Sequence, residues 1–184
     1  MRFTELPLGG AWLVEPEPIR DARGHFARLF CAREFREHGL CAEMTQASES
    51  RSLRVGTTRG LHFQHPPHAE DKLVRCTRGR VFDVIVDLRP GSPSRLLWHG
   101  AELDAETGRQ LYVPKGFAHG FQVLEPDSVM SYLVTTAYVP GADGGVRWDD
   151  PRLGIDWPLD RDLVLSERDL ALPTLDELSA RNDA

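Results

Sequence analysis

Apolar residues in this chain come in short runs that alternate with polar ones and are cut, every few residues, by Gly, Pro or Asp. A helix would need apolar positions recurring at a period near 3.6 over roughly ten residues or more, whereas these runs are shorter and keep a period of two, so the chain reads as mainly β. The clearest run is 81–88, where Phe82, Val84, Val86 and Leu88 share one face and Val81, Asp83, Ile85 and Asp87 the other, before Arg89-Pro90-Gly91-Ser92-Pro93 ends it. The same reading predicts strands at 12–15, 25–30, 73–77, 96–103, 110–113, 120–124 and 129–137. Arg59–Gln64 and the stretch 114–121 are also strand-like. Helix is scarce: one short segment at 31–38, stopped by Gly39, and another at 174–181, with Pro173 near its start. Many short strands separated by turn signals fit a jelly roll or a related sandwich barrel.

At 184 residues the chain is long enough to bury a core, and it contains no repeat, low-complexity tract or linker. It therefore reads as one domain over 1–184, with a barrel core at about 45–140, an N-terminal arm before it and short helices after it. A net charge of -6 argues against a nucleic-acid surface, while leaving room for a local basic pocket that takes one phosphorylated ligand. The three cysteines, Cys31, Cys41 and Cys76, have neither the number nor the spacing of a disulfide framework, which points to a reducing cytoplasm. No apolar run approaches the roughly 18 residues of a membrane span, and the N-terminus lacks the apolar stretch of a signal peptide, so a soluble protein with no membrane partner is expected.

The chemistry-bearing residues concentrate between Arg59 and Tyr132. Arg59, His62, Lys72, His119 and Tyr132 supply a base, cations and a phenol without a nucleophile, which is the equipment of proton transfer. Gly108, Pro114, Gly116 and His119 match the second sequence motif of cupin barrels in spacing, with Val123 standing where that motif has Asn. The Pro and Gly would turn the chain between two barrel strands and aim the histidine inward. His65, His68 and Glu70, with His62 and His119, are conceivable ligands for iron or zinc, but they flank Pro66-Pro67, which precludes a regular strand carrying them on one face. A metal-free barrel is the expectation.

Several blocks in order, Arg59-Gly-Leu-His62, Pro66-Pro67-His68-Ala69, Lys72-Leu-Val-Arg75, Val81-Phe-Asp-Val84, the stretch from Pro114 to Phe121 and the stretch from Trp148 to Pro158, resemble the dTDP-4-dehydrorhamnose 3,5-epimerases from about Arg20 to Leu172. The resemblance implies a cupin-like jelly roll, a homodimer, no metal or other cofactor, and a dTDP-linked 4-keto-6-deoxyhexose as substrate. A hydrogen on carbon 3 or carbon 5 of such a sugar lies next to the carbon-4 ketone, so its removal gives an enolate. Inversion then needs a base on one face of the ring, an acid on the other and positive charge at the enolate oxygen.

By this resemblance His62 is the base, Asp169 orients and stabilises its ring, Tyr132 is the acid and Lys72 is the cation beside the enolate. Arg23, Gln46, Arg59 and His119 stand at positions that contact the diphosphate or sugar, Tyr138 is grouped with them, and Asp143 and Arg168 replace the family's usual Glu and Lys. Arg28 stands where the family often has Glu and Ser48 where it often has Asn, which leaves open whether one or both centres are inverted. Three other readings stay open beside the double epimerase: inversion of one centre only, a metal-dependent cupin enzyme, and a barrel that only binds a sugar nucleotide. Strand parity agrees with Lys72 and Tyr132 facing inward beside apolar neighbours, but it sets Arg59 and His62 on opposite faces unless a bulge falls at Gly60. The arm at 23–30 is a segment that a second copy would use to complete a neighbour's sheet and site.

Overall fold

A computed structural model describes residues 1–182; the last two residues of the 1–184 span lie outside the described residues. In chain order the strands are β1 (Arg2–Glu5), β2 (Trp12–Glu15), β3 (Ile19–Asp21), β4 (Gly24–Phe26), β5 (Gln46–Ser52), β6 (Thr58–Gln64), β7 (Lys72–Arg78), β8 (Arg80–Asp87), β9 (Trp98–Asp104), β10 (Gln110–Val113), β11 (Phe117–Val123), β12 (Ser128–Val134) and β13 (Asp143–Gly145). Three short helices accompany them, α1 (Ala32–Glu37), α2 (Glu167–Leu170) and α3 (Leu175–Asn182). A six-stranded sheet in the order β1-β2-β10-β7-β12-β5 faces a five-stranded one in the order β13-β6-β11-β8-β9, and β3 and β4 form a separate hairpin. Every strand pairing is antiparallel. The result is a mainly β, cupin-like jelly-roll sandwich.

The alternation read in 81–88 has a structural meaning on both faces. Val81 and Ile85 enter the cluster between the sheets with Val74, Leu111, Phe121 and Met130. Val84 and Val86 enter a second cluster with Leu61, Val146, Leu153 and Leu175, where the C-terminal segment covers the outside of the smaller sheet. Burial on both faces removes the usual polar side of an antiparallel strand, and so Asp83 and Asp87 are buried as well. Asp87 is satisfied by Arg89, Ser92 and Ser94, which closes the turn after β8.

Several boundaries differ from the sequence reading. Of the predicted 25–30 strand only His25 and Phe26 are extended, as part of β4 in the hairpin with Ile19–Asp21; the rest is irregular chain leading into α1. The 96–103 strand begins at Trp98, because Leu96 turns with a φ of 67°. The 120–124 strand starts earlier, at Phe117, and the 129–137 strand stops at Val134. Strand β5, with the sequence QASESRS, escaped the reading entirely: it is an edge strand held by backbone pairing to β12, and it carries almost no apolar residues to alternate.

The parity conflict on β6 has a local cause. His62 pairs with His119 and Arg59 pairs with Phe121, so β6 spends one residue more than β11 over the same stretch. Gly60 makes this possible with a φ of 116°, and a Cβ there would lie 2.6 Å from Gly120 Cα, so only glycine fits. The irregularity brings Arg59 and His62, which a regular strand would separate, opposite residues of the same inward face of β11.

Candidate active site

A cavity of about 230 Å³ opens between the sheets. The smaller sheet contributes His62, Phe63 and Gln64 from β6 and Asp143 from β13; the larger contributes Gln46 and Ser48 from β5, Lys72 from β7, and Tyr132 and Val134 from β12. Thr136, Tyr138, Glu70 and Arg168 complete its wall.

His62 is the half-exposed member of a histidine–carboxylate pair: its Nε2 lies 2.5 Å from Asp169 Oδ1, with side-chain exposures of 35% and 6%. Helix α2 delivers that carboxylate, and the Ser166 hydroxyl caps the helix by accepting from the Asp169 N–H at 3.1 Å. Burial pushes the Asp169 carboxyl up, but the hydrogen bond and charge of His62 and the Ser166 contact outweigh it, holding the group below the usual carboxylate range. A proton on Nε2, donated to this carboxylate, leaves the Nδ1 lone pair as the base.

Tyr132 reaches the same cavity from the opposite sheet. Burial, followed by the field of the Asp83 carboxylate, pushes its phenol far above the ordinary value, with Arg59 opposing; the group stays protonated and is able to donate. Its ring meets that of His119 edge-on, with centroids 6.1 Å apart. Lys72 Nζ lies 3.1 Å from Glu70 Oε1 and donates to the His62 carbonyl at 3.4 Å. The cation therefore bonds to the backbone of the strand that carries His62 and lines the same cavity as Tyr132.

Around the rim, Tyr138 donates its hydroxyl hydrogen to Asp143 Oδ1 at 3.0 Å, and Arg168 pairs with the other oxygen of Asp143. Gln46 Nε2 donates to Ser48 Oγ at 3.0 Å, and Ser48 stands directly across the strand pair from Tyr132. Arg59 and His119 do not line the cavity: Arg59 donates to Ser52 Oγ and the Arg51 carbonyl, and His119 is 4% exposed and bonded to Asp83 at 2.8 Å. Arg23 and Arg28 do not line it either; Arg23 pairs with Asp21 beside the β3–β4 turn, and Arg28 with Glu34 of α1.

Sequence reasoning passed over Asp83 and Gln64. Asp83 is fully buried behind Tyr132 with its Oδ1 unpartnered; burial raises its carboxyl above the ordinary value, against the pull of His119 and Lys72. An aspartate alternating with Val81 and Ile85 was the available signal, since a carboxylate on an apolar face is seldom there without a use. Gln64, in a strand with little apolar pattern, offered none. Among the described residues no group of His, Cys, Asp and Glu converges as metal ligands. The candidates named for that role have other partners: His62 holds Asp169, His119 holds Asp83, and Glu70 holds Lys72. His65 and His68 close a turn, with the His68 N–H on the His65 carbonyl at 2.9 Å.

Comparison with known proteins identifies the family. Residues 5–177 match the family described as dTDP-4-dehydrorhamnose 3,5-epimerase. A protein of that name from Sinorhizobium fredii is 48% identical over 97% of this chain and 91% of its own length. The structure of a dTDP-6-deoxy-D-glucose-3,5-epimerase from Legionella pneumophila in complex with dTDP-4-keto-L-rhamnose superposes with a TM-score of 0.92 at 38% identity, covering 98% of this chain and 95% of that one. ChmJ, a 3'-monoepimerase from Streptomyces bikiniensis in complex with dTDP-quinovose, superposes at 0.89 with 35% identity, covering 96% and 89%. With a match over nearly the whole chain and a histidine facing a tyrosine across the sandwich, this chain belongs to the dTDP-4-dehydrorhamnose 3,5-epimerase family.

Proposed function

We propose that the chain inverts carbon 3 and carbon 5 of a dTDP-4-keto-6-deoxyhexose, with His62 removing the proton, Tyr132 returning one to the opposite face, and Lys72 stabilising the enolate oxygen. The observation that carries this reading is one cavity lined by His62 of the smaller sheet, backed by buried Asp169, by the phenol of Tyr132 from the larger sheet, and by the ammonium of Lys72. Proton removal charges the imidazole, and the Asp169 carboxylate stabilises that charge; the enolate then collects its new proton from the phenol. No electron or group leaves the sugar, so the residues already in the cavity suffice for the step. Gln46, Ser48, Tyr138, Asp143 and Arg168 would hold the sugar and its diphosphate at the rim, and Arg59 would reach the phosphates by exchanging its Ser52 contact for them.

Arg23 and Arg28 enter this scheme through a homodimer. The β3–β4 hairpin is exposed throughout, with Ile19 and Phe26 at 73% and 74% exposure, and a second copy would both cover these apolar side chains and receive the two arginines. The whole chain acts as one epimerase domain in the cytoplasm, a setting that fits its free Cys31, Cys41 and Cys76. The test is incubation with dTDP-4-keto-6-deoxyglucose in D₂O, following deuterium by mass spectrometry and NMR. Incorporation at both carbons with inverted product is expected, and no incorporation at either carbon overturns the reading. Exchange at carbon 3 alone would place the chain with single-centre enzymes, a second reading favoured by its likeness to the ChmJ structure.

A further inference from the structure

We infer that Glu70 is a positioning residue for Lys72, one that determines where the lysine's remaining N–H donor points; the inference rests on the epimerase reading above. Glu70 precedes β7 and is 8% exposed, and the side chains of Lys72 and Glu70 are 12% and 7% exposed. Its two oxygens are both engaged: Oε1 lies 3.1 Å from Lys72 Nζ, and Oε2 accepts from Gln64 Nε2 at 3.0 Å. Gln64 is itself fixed, because its amide also donates to the His68 carbonyl at 3.1 Å and its Oε1 accepts from the Val139 N–H at 2.8 Å. A chain of hydrogen bonds thus runs from the backbone at His68 and Val139 through Gln64 and Glu70 to the lysine.

An ammonium has three N–H donors on a flexible stem. Two of those on Lys72 are taken by Glu70 Oε1 and the His62 carbonyl, so the third is left for the cavity, on the side shared by His62 and Tyr132. The carboxylate also changes what the lysine offers. A cation paired at 3.1 Å presents to the enolate an oriented donor more than a free net charge, so alignment governs how much of its stabilisation reaches the transition state. Loss of Glu70 would free the ammonium to swing, while making the cavity more positive toward a doubly charged nucleotide diphosphate. Turnover and substrate affinity should therefore respond in opposite senses.

The test is Glu70→Gln, alone and combined with Lys72→Met, with kcat and KM measured by solvent deuterium incorporation. Glu70→Gln is expected to lower kcat about tenfold without raising KM, the size of one charged hydrogen bond lost in the transition state. In the Lys72→Met background it should cost nothing further, because its action runs through the lysine. Wild-type kcat in Glu70→Gln, or losses that multiply in the double variant, would overturn the inference. Should Glu70→Gln fail to fold, Glu70→Asp keeps the charge on a shorter stem and is expected to lose part of kcat at unchanged KM; full wild-type turnover there counts equally against it. Failure of the epimerase reading itself appears separately, as a wild-type protein that incorporates no deuterium.

Discussion

Two histidine–carboxylate pairs lie on the inner face of the smaller sheet, on residues directly opposite each other in β6 and β11, and they are put to different uses. His62 with Asp169 borders the cavity; His119 with Asp83 is sealed, at 4% and 0% exposure. The partners respond in opposite directions. Asp169 ends below its ordinary pKa because His62 and Ser166 outweigh burial, whereas Asp83 ends above it because complete desolvation outweighs His119 and Lys72. The comparison teaches that a histidine–aspartate pair is not in itself a catalytic unit. It becomes a base only where one ring nitrogen faces space that a substrate can fill; where both partners are enclosed, it acts on its neighbours, and here it shapes the wall behind Tyr132.

The largest expected effects fall on the open pair and the phenol it faces. Replacing His62 by Asn or Tyr132 by Phe should each lower kcat by about 10² to 10⁴-fold, the usual worth of a general base or acid, far beyond what any change in melting temperature accounts for. Steady-state kinetics alongside calorimetry separates the two quantities, and a catalytic loss explained by unfolding would erase the distinction between the pairs.

The sealed pair should answer mainly in stability. His119→Ala removes the only hydrogen-bond partner of the buried Asp83 side chain among the described residues and is expected to cost about 1–3 kcal/mol, or roughly 2–12 °C in melting temperature for a chain of this size. A variant as stable as the parent would mean that Asp83 finds another partner.

The smallest effect is in pH, and its sign differs between the pairs. The stabilisation from Asp169 is present above its ordinary value of 3.8 and disappears as the pH falls through the lower folded-state value, so Asp169→Asn should cost stability at neutral pH and much less in strong acid. Asp83 runs the other way: the parent loses stability as pH rises from 3.8 through the higher folded-state value and is level above it. Asp83→Asn should thus gain on the parent across that interval. Melting curves from about pH 3 to pH 8 test both, and slopes of the same sign would mean that the environments are not as different as their burial implies.

Where the chain spoke plainly, it did so through short-range chemistry. Period-two alternation marked 81–88, 73–77 and 110–113 close to their true limits, because those strands bury side chains and must therefore carry apolar ones. Strand β5 was silent because its pairing to β12 uses backbone groups that every residue possesses. The site divides along the same line. His62, Lys72 and Tyr132 stood in recognisable blocks, and the structure brings all three to one cavity together with Gln46, Ser48, Tyr138, Asp143 and Arg168. Gln64 was passed over and Glu70 was weighed only as a metal ligand, since their importance lies in the company they keep around Lys72.

Residue order alone determined that this chain is built of strands, and which family its blocks resemble, because alternation and turn chemistry act between neighbours a few positions apart. Which histidine faces the cavity was decided only by tertiary structure. A glycine irregularity in β6 aligns Arg59 with His62, a helix more than one hundred residues downstream carries Asp169 to the ring (a sequence separation of 107), and the closure of two sheets leaves one pair open while sealing the other. Burial is a property of the assembled sandwich, and it separates two chemically identical pairs into one that borders the cavity and one sealed in its wall.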